Sequence, residues 1–228
     1  MKRITCMLLI TVMLLAMAGC DLPFPRPTTE PATVPTTTVP ATTAPEEHSF
    51  VGAYANNVYT NEFLGIRCNL DPAWTVFDEE QLAQLAGLTA DLMGNEALKE
   101  QMEKGAAVYA FYAQSQNGQR NMNIVLERLS LVNGILLNEK GYVEIAMPQM
   151  KQALEGIGLE NVTVEQATLQ FAGGEHAGIR IHGTTQGVDL YETVVCVKNG
   201  NYIASVTVCS VGTDSTADLL ALFQPVNG

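Results

Sequence analysis

Residues 21–47, DLPFPRPTTEPATVPTTTVPATTAPEE, constrain this chain more than any other stretch, because they hold seven of its ten prolines and eight threonines. Proline lacks the amide donor and fixes φ, so neither a helix nor a sheet ladder can run through them. The segment is expected to be extended and hydrated, and at about 3.1 Å per residue it would reach roughly 80 Å. Any fold must therefore be built from residues 49–228, which suffice for a single globular domain with a substantial core.

What precedes the proline stretch explains its use. Lys2-Arg3 is followed by the apolar run Ile4 to Leu15 and the small residues Ala18-Gly19. These are the three parts of a secretory signal, and the run is shorter than the ~20 apolar residues of a spanning helix. Ala18-Gly19-Cys20 resembles the lipobox of bacterial lipoproteins. The resemblance implies that residues 1–19 are removed and that the Cys20 thiol carries a diacylglyceryl anchor. Residues 20–48 then form a tether, and the domain is held at the cell membrane on its extracytoplasmic side.

Charge narrows the partners. The full chain carries −12, and loss of Lys2 and Arg3 with the signal leaves −14. No basic stretch remains, so binding to nucleic acid or to anionic lipid by charge is not expected. Cys68, Cys196 and Cys209 sit in strand-like apolar stretches and read as buried thiols rather than as a disulfide scaffold.

Periodicity gives an alternation of elements. Two short strands are expected at 57–63 and 65–70, ended by Asp71-Pro72 and followed by the lone Trp74. Helices are expected at 78–86, started by the acidic Asp78-Glu79-Glu80 cap, and at 91–104. Strands at 106–114 and 121–129 flank Asn117-Gly118, the second with Met122, Ile124 and Leu126 on a buried face and a largely polar face opposite. A helix at 139–157 contains Pro148, which marks a kink or a fresh first turn. Strands at 178–184, 188–198 and 201–209 and a helix at 216–223 complete the chain. Helices between antiparallel hairpins predict an α+β fold, an antiparallel sheet flanked by helices.

The order Tyr59-x-Asn61, Leu64-Gly65-Ile66 and Asp71-Pro72-x-Trp74, followed by helices and strand pairs, resembles the PsbP-like group. That resemblance implies an α/β/α sandwich and a role in protein binding or assembly, with no catalytic residues to carry over.

Chemistry leaves few other marks. The sequence has no serine-hydrolase elbow, zinc-protease helix, P-loop or dinucleotide glycine pattern. His176 and His182 lack a nearby third ligand, so no metal or cofactor is expected. The hairpin loops offer one constellation. A three-residue loop Thr185-Gln186-Gly187 and a two-residue loop Asn199-Gly200 would set Arg180 opposite Glu192. Arg180, His182, Glu192, Ser205 and Thr207 would then share one face, a possible binding surface, with Ile179, Ile181, Val206 and Val208 on the other. The same register holds Cys196 and Cys209 too far apart for a disulfide.

The leading expectation is a membrane-tethered, non-enzymatic binding or assembly module for an envelope protein or peptide. The competing one is an envelope hydrolase working through the carboxylate pair Glu127 and Glu192, which would need the two groups within about 9.5 Å.

Overall fold

A computed structural model describes residues 49–226; the signal, Cys20, the tether and His48 lie outside the described residues. The strands are β1 (Ala53–Ala55), β2 (Val58–Asn61), β3 (Ile66–Asn69), β4 (Trp74–Val76), β5 (Val108–Ser115), β6 (Arg120–Arg128), β7 (Glu160–Phe171), β8 (Gly174–Thr185), β9 (Val188–Asn199), β10 (Tyr202–Val211) and β11 (Phe223–Pro225). The helices are α1 (Glu79–Leu85), α2 (Asn95–Glu103), α3 (Leu131–Leu136), α4 (Glu139–Gly156) and α5 (Thr216–Leu220), with a 3₁₀ turn at Ala90–Leu92. β4-β5-β6-β10-β9-β8-β7 form a seven-stranded sheet and β1-β2-β3-β11 a four-stranded one, and every pairing is antiparallel. The fold is α+β.

The two sheets pack through one face of the larger. Tyr59 stacks on Phe111 at 4.3 Å, Cys68 Sγ lies 3.8 Å from Met122 Sδ, and Phe171 meets Phe223 at 5.3 Å. On the opposite face α4 lays Tyr142, Val143, Ala146, Met150 and Leu154 over Ile179, Ile181, Val194 and Cys196. The larger sheet therefore lies between a helical layer and a second sheet.

Local chemistry accounts for the element ends. The Asp78 side chain accepts from Gln81 N at 2.9 Å while Gln81 Oε1 accepts from Asp78 N at 3.0 Å, a capping box that starts α1. Asn138 caps α4 through Gly141 N, and α4 continues through Pro148 as one helix. The residues of the PsbP-like pattern serve the fold. Asn61 Nδ2 donates to Phe50 O and to Tyr59 Oη, and its Oδ1 accepts from Leu64 N, which fixes the β2–β3 connection. Trp74 is buried as a lid on the core, with the Arg120 guanidinium 5.5 Å from its ring.

Three expectations are corrected. The strand β7 and the first half of β8 occupy residues 160–177, where periodicity shows no element; β7 is an edge strand, so its exposed polar residues dilute the apolar alternation. The expected helix at 216–223 ends at Leu220, and Phe223 opens the closing strand. The expected polar face of β6 is buried, with Asn121, Asn123 and Val125 each 2 % exposed. β6, β9 and β10 are covered on both faces, so alternation says little about which face is which.

Candidate functional site

With alternation lost, loop length alone decides which face each residue of a hairpin takes. The β8–β9 loop has two residues, Gln186 and Gly187, at φ 50° and 77°, and pairs Thr185 with Val188. Both φ values are positive, as the tight turn favoured between twisted strands requires. One residue fewer in the loop exchanges the faces. Arg180 consequently pairs with Thr193 and His182 with Tyr191, while Glu192 pairs with Ile181 on the other side of the sheet. The β9–β10 loop is Gly200-Asn201, with Asn199 opposite Tyr202. This shifts the register by an even step, so Glu192, Ser205 and Thr207 still share a face, beside Cys209, Cys196 and Val194 respectively. The five expected residues therefore divide between two faces. Arg180 and His182 lie on the same side as Val206 and Val208; Glu192, Ser205 and Thr207 lie with Ile179 and Ile181.

Arg180 and His182 line an open groove of about 660 Å³ between β7–β9 and α5, together with Thr163, Glu165, Tyr191 and Asp214. Four features organise it. His182 Nε2 is 2.9 Å from Asp189 Oδ1, and its ring stacks on Tyr191 at 4.8 Å. Asp214 Oδ1 accepts from Thr216 N and Oγ1 at 3.0 and 2.8 Å, which starts α5. Leu220 and Ala217 give one wall an apolar surface. Arg180 is exposed and pairs across the ladder with Glu165. Tyr191, Thr193 and Asp214 were not legible as groove residues, because only the correct loop length brings the first two to this side.

On the opposite face the groups under α4 are buried and linked. Tyr142 Oη donates to Glu127 Oε1 at 2.9 Å; burial raises the Glu127 carboxyl above its usual range, and the tyrosine bond opposes that rise. Burial, with Glu139 and Glu127 nearby, pushes the Cys196 thiol up to about 12, and burial alone takes Cys68 to about 12. Both are therefore core thiols with no nucleophilic character at neutral pH. Cys196 pairs with Ser205, four residues along β10 from Cys209. At about 3.4 Å per residue the two are roughly 14 Å apart, and all three cysteines remain thiols.

Glu127 and Glu192 do not form a pair. Their cross-strand neighbours on β10 are Ile203 and Cys209, six residues apart. That is about 20 Å along the strand, beyond any spacing that carboxylate-pair hydrolysis uses. The hydrolase expectation built on them is withdrawn.

A third cluster was invisible in the sequence. Glu139, the first residue of α4, accepts from His176 Nδ1 and Lys198 N at 3.0 Å each and from Ala177 N at 3.3 Å. Burial pushes this carboxyl upward, but the three donors outweigh it and hold Glu139 below its usual range. Among the described residues no three His, Cys, Asp or Glu side chains gather in a way that would hold a metal ion.

No family model matches the chain, and no curated protein matches it. Among solved structures it is similar to a Bacteroides thetaiotaomicron protein at 9 % identity and TM-score 0.36, covering 74 % of this chain and 48 % of that one. A Pseudomonas aeruginosa protein of unknown function is 12 % identical at TM-score 0.26, with 45 % and 64 % covered. LpqN, involved in cell envelope biogenesis of Mycobacterium tuberculosis, is 7 % identical at TM-score 0.36, with 68 % and 75 % covered. The chain spans less than two thirds of the length of the first two.

Proposed function

We propose that this chain is a lipid-anchored lipoprotein of the cell envelope, with a PsbP-like domain that works as a binding or assembly module outside the membrane. The anchor is the diacylglyceryl group on Cys20, and residues 20–48 carry the domain away from the bilayer. Among the described residues no helix is long and apolar enough to cross a membrane, which is compatible with a lipid anchor.

The groove beside α5 carries the binding half of this reading. Most of its lining comes from paired strands, and Arg180 brings a guanidinium with no ion pair among the described residues. Glu165, Asp214 and the His182–Asp189 pair supply acceptors around it. A guanidinium beside carboxylates and an apolar wall suits a polar peptide that offers both a carboxylate and donors.

Two measurements test the proposal. Cys20→Ser should move the protein from the membrane fraction to the soluble one, and continued membrane retention would show another anchor. The mature chain should capture a specific envelope protein that an Arg180→Ala, Tyr191→Ala variant captures at least tenfold less well. Equal capture by both proteins would remove the groove from the function.

A further inference from the structure

Ile135 and Leu136 are the most exposed large apolar side chains among the described residues, at 80 % and 77 %. They lie on α3, which is fixed to the domain on either side of them. Gly134 is buried against the Asn201 side chain, where a Cβ would collide with it, and Leu137 packs against the core beneath α4. Ile135 and Leu136 are turned outward between these two holds. From Ser130 to Asn138 the chain reads SLVNGILLN and carries no charge. An adjacent aliphatic pair left in water, which the packing of the domain does not use, marks a surface that meets something else.

The point where residues 20–48 join the domain says what that is. Phe50 packs on Tyr202 with ring centroids 5.2 Å apart and on Phe63 at 4.9 Å. Tyr202 opens β10 directly after Asn201, the residue against which α3 rests. Asn201 O also accepts from Leu129 N at 2.7 Å, just ahead of α3. The proline-threonine segment therefore leaves the domain at the same end of the large sheet as Ile135 and Leu136. Val188 starts β9 and Asn199 ends it beside this turn, so Val188 lies about 37 Å away at the far end. Tyr191 of the Arg180 groove is three residues from Val188 on that strand, about 27 Å from the turn.

Two aliphatic side chains are too little for a lasting protein interface, which buries about 1,200–2,000 Å² in all. They suffice for a contact that a tether keeps offering, because a flexible link gives a weak contact an effective concentration of about millimolar. Charge has no part in it, since the segment is neutral and the chain is strongly acidic. Aliphatic side chains can enter the headgroup–acyl boundary of a bilayer without it. We propose that α3 is the membrane-resting face of the domain. Ile135 and Leu136 enter the surface of the bilayer that holds the anchor, and the Arg180 groove is turned away from it. The tether sets how far the domain can travel, and α3 gives it a place to rest. For the anchor alone, this rests on the lipoprotein reading of Cys20.

The test supplies the anchor chemically, so it does not depend on whether the cell lipidates Cys20. The mature chain is coupled through Cys20 to a maleimide lipid in phosphatidylcholine vesicles; Cys68, Cys196 and Cys209 are buried and stay unmodified. Leu136→Trp puts a fluorescent reporter on α3 and Val188→Trp puts one at the far end, while the buried Trp74 gives both the same background. Brominated acyl chains should quench the Leu136→Trp emission at least twofold and leave the Val188→Trp emission unchanged. Adding Ile135→Asp to the Leu136→Trp chain should abolish the quenching without lowering Tm, because Ile135 is exposed. Absence of quenching, equal quenching of both reporters, quenching that survives Ile135→Asp, or quenching that requires added phosphatidylglycerol would overturn the assignment. So would a dimer of the uncoupled mature chain, seen by light scattering, that Ile135→Asp dissociates, because the pair would then belong to a second copy. Retention of Cys20→Ser in cell membranes would remove the anchor reading and leave the vesicle result standing.

Discussion

Glu139→Ala is the perturbation with the largest consequence that the structure predicts from one surface-reachable side chain. The carboxylate ties three elements together: the start of α4, the Ala177 amide of β8 and the Lys198 amide of β9, with His176 as a fourth hold. Hydrogen bonds to a charged group contribute about 1.5–3 kcal/mol each when protected from water. The Glu139 side chain is 21 % exposed, so the lower end applies, and the helix N-terminus adds about 0.3–1 kcal/mol. Alanine leaves both part-buried amides to water, and at about 1.5 kcal/mol for each of these two bonds plus the helix-terminus contribution the expected loss is about 3–4 kcal/mol. Glutamine keeps one acceptor oxygen and should lose about half as much.

The pH dependence is a stricter check than the loss itself. The folded-state pKa of Glu139 is depressed, so its contribution is present above the unfolded value of about 4.3 and disappears as pH falls through the lower folded value. Glu127 runs the other way. Its carboxyl is raised, so its contribution is complete below about 4.3 and fades as pH rises through the folded value. The difference between wild type and Glu139→Gln cancels Glu127 and isolates Glu139. Urea unfolding from pH 7 to about pH 3 should show that difference shrink towards acid. A loss below about 0.5 kcal/mol for Glu139→Ala, or a difference that stays constant down to about pH 3, would refute the reasoning.

Deletion of residues 1–47 should leave the Tm within a degree or two of that of the mature chain, since the proline-threonine segment has no apolar periodicity to place in a core; a drop of many degrees would contradict this. Gly178→Ala should destabilise by about 1–3 kcal/mol through overpacking, because a Cβ there would run into Leu169 Cδ1 and the backbone oxygen of Val194. Denaturant unfolding that shows no loss would mean that β7, β8 and β9 are not in the register described.

The parts of this molecule that were legible in the sequence are those where a local rule acts alone. The acidic run Asp78-Glu79-Glu80 reads as a helix N-cap whatever surrounds it, and the start of α1 follows directly. The α+β class followed in the same way from elements of two periods. Faces were legible only where one side of a strand meets water. In the run from Val188 to Lys198 both sides are covered, and Glu192, Val194 and Cys196 are as deeply buried as Thr193, Val195 and Val197. Nothing in such a run says which residues look towards the second sheet and which towards α4. The parity then hangs on a single loop, and reading Thr185-Gln186-Gly187 as three residues instead of Gln186-Gly187 as two moved Arg180 and His182 to the wrong side of Glu192.

The same double burial that hid the faces also encloses polar side chains. A sheet covered on one side can send its polar residues to water. The strands β6, β9 and β10 have no such outlet, so each asparagine, threonine or glutamate they carry must be satisfied inside the protein. Glu127 is placed where a partner exists and receives the Tyr142 hydroxyl. Asn121 and Asn123 do not follow this pattern, although leucine or valine would fill the same positions without an unpaired amide. Two amides kept where apolar side chains would stabilise the sheet more are a cost to folding.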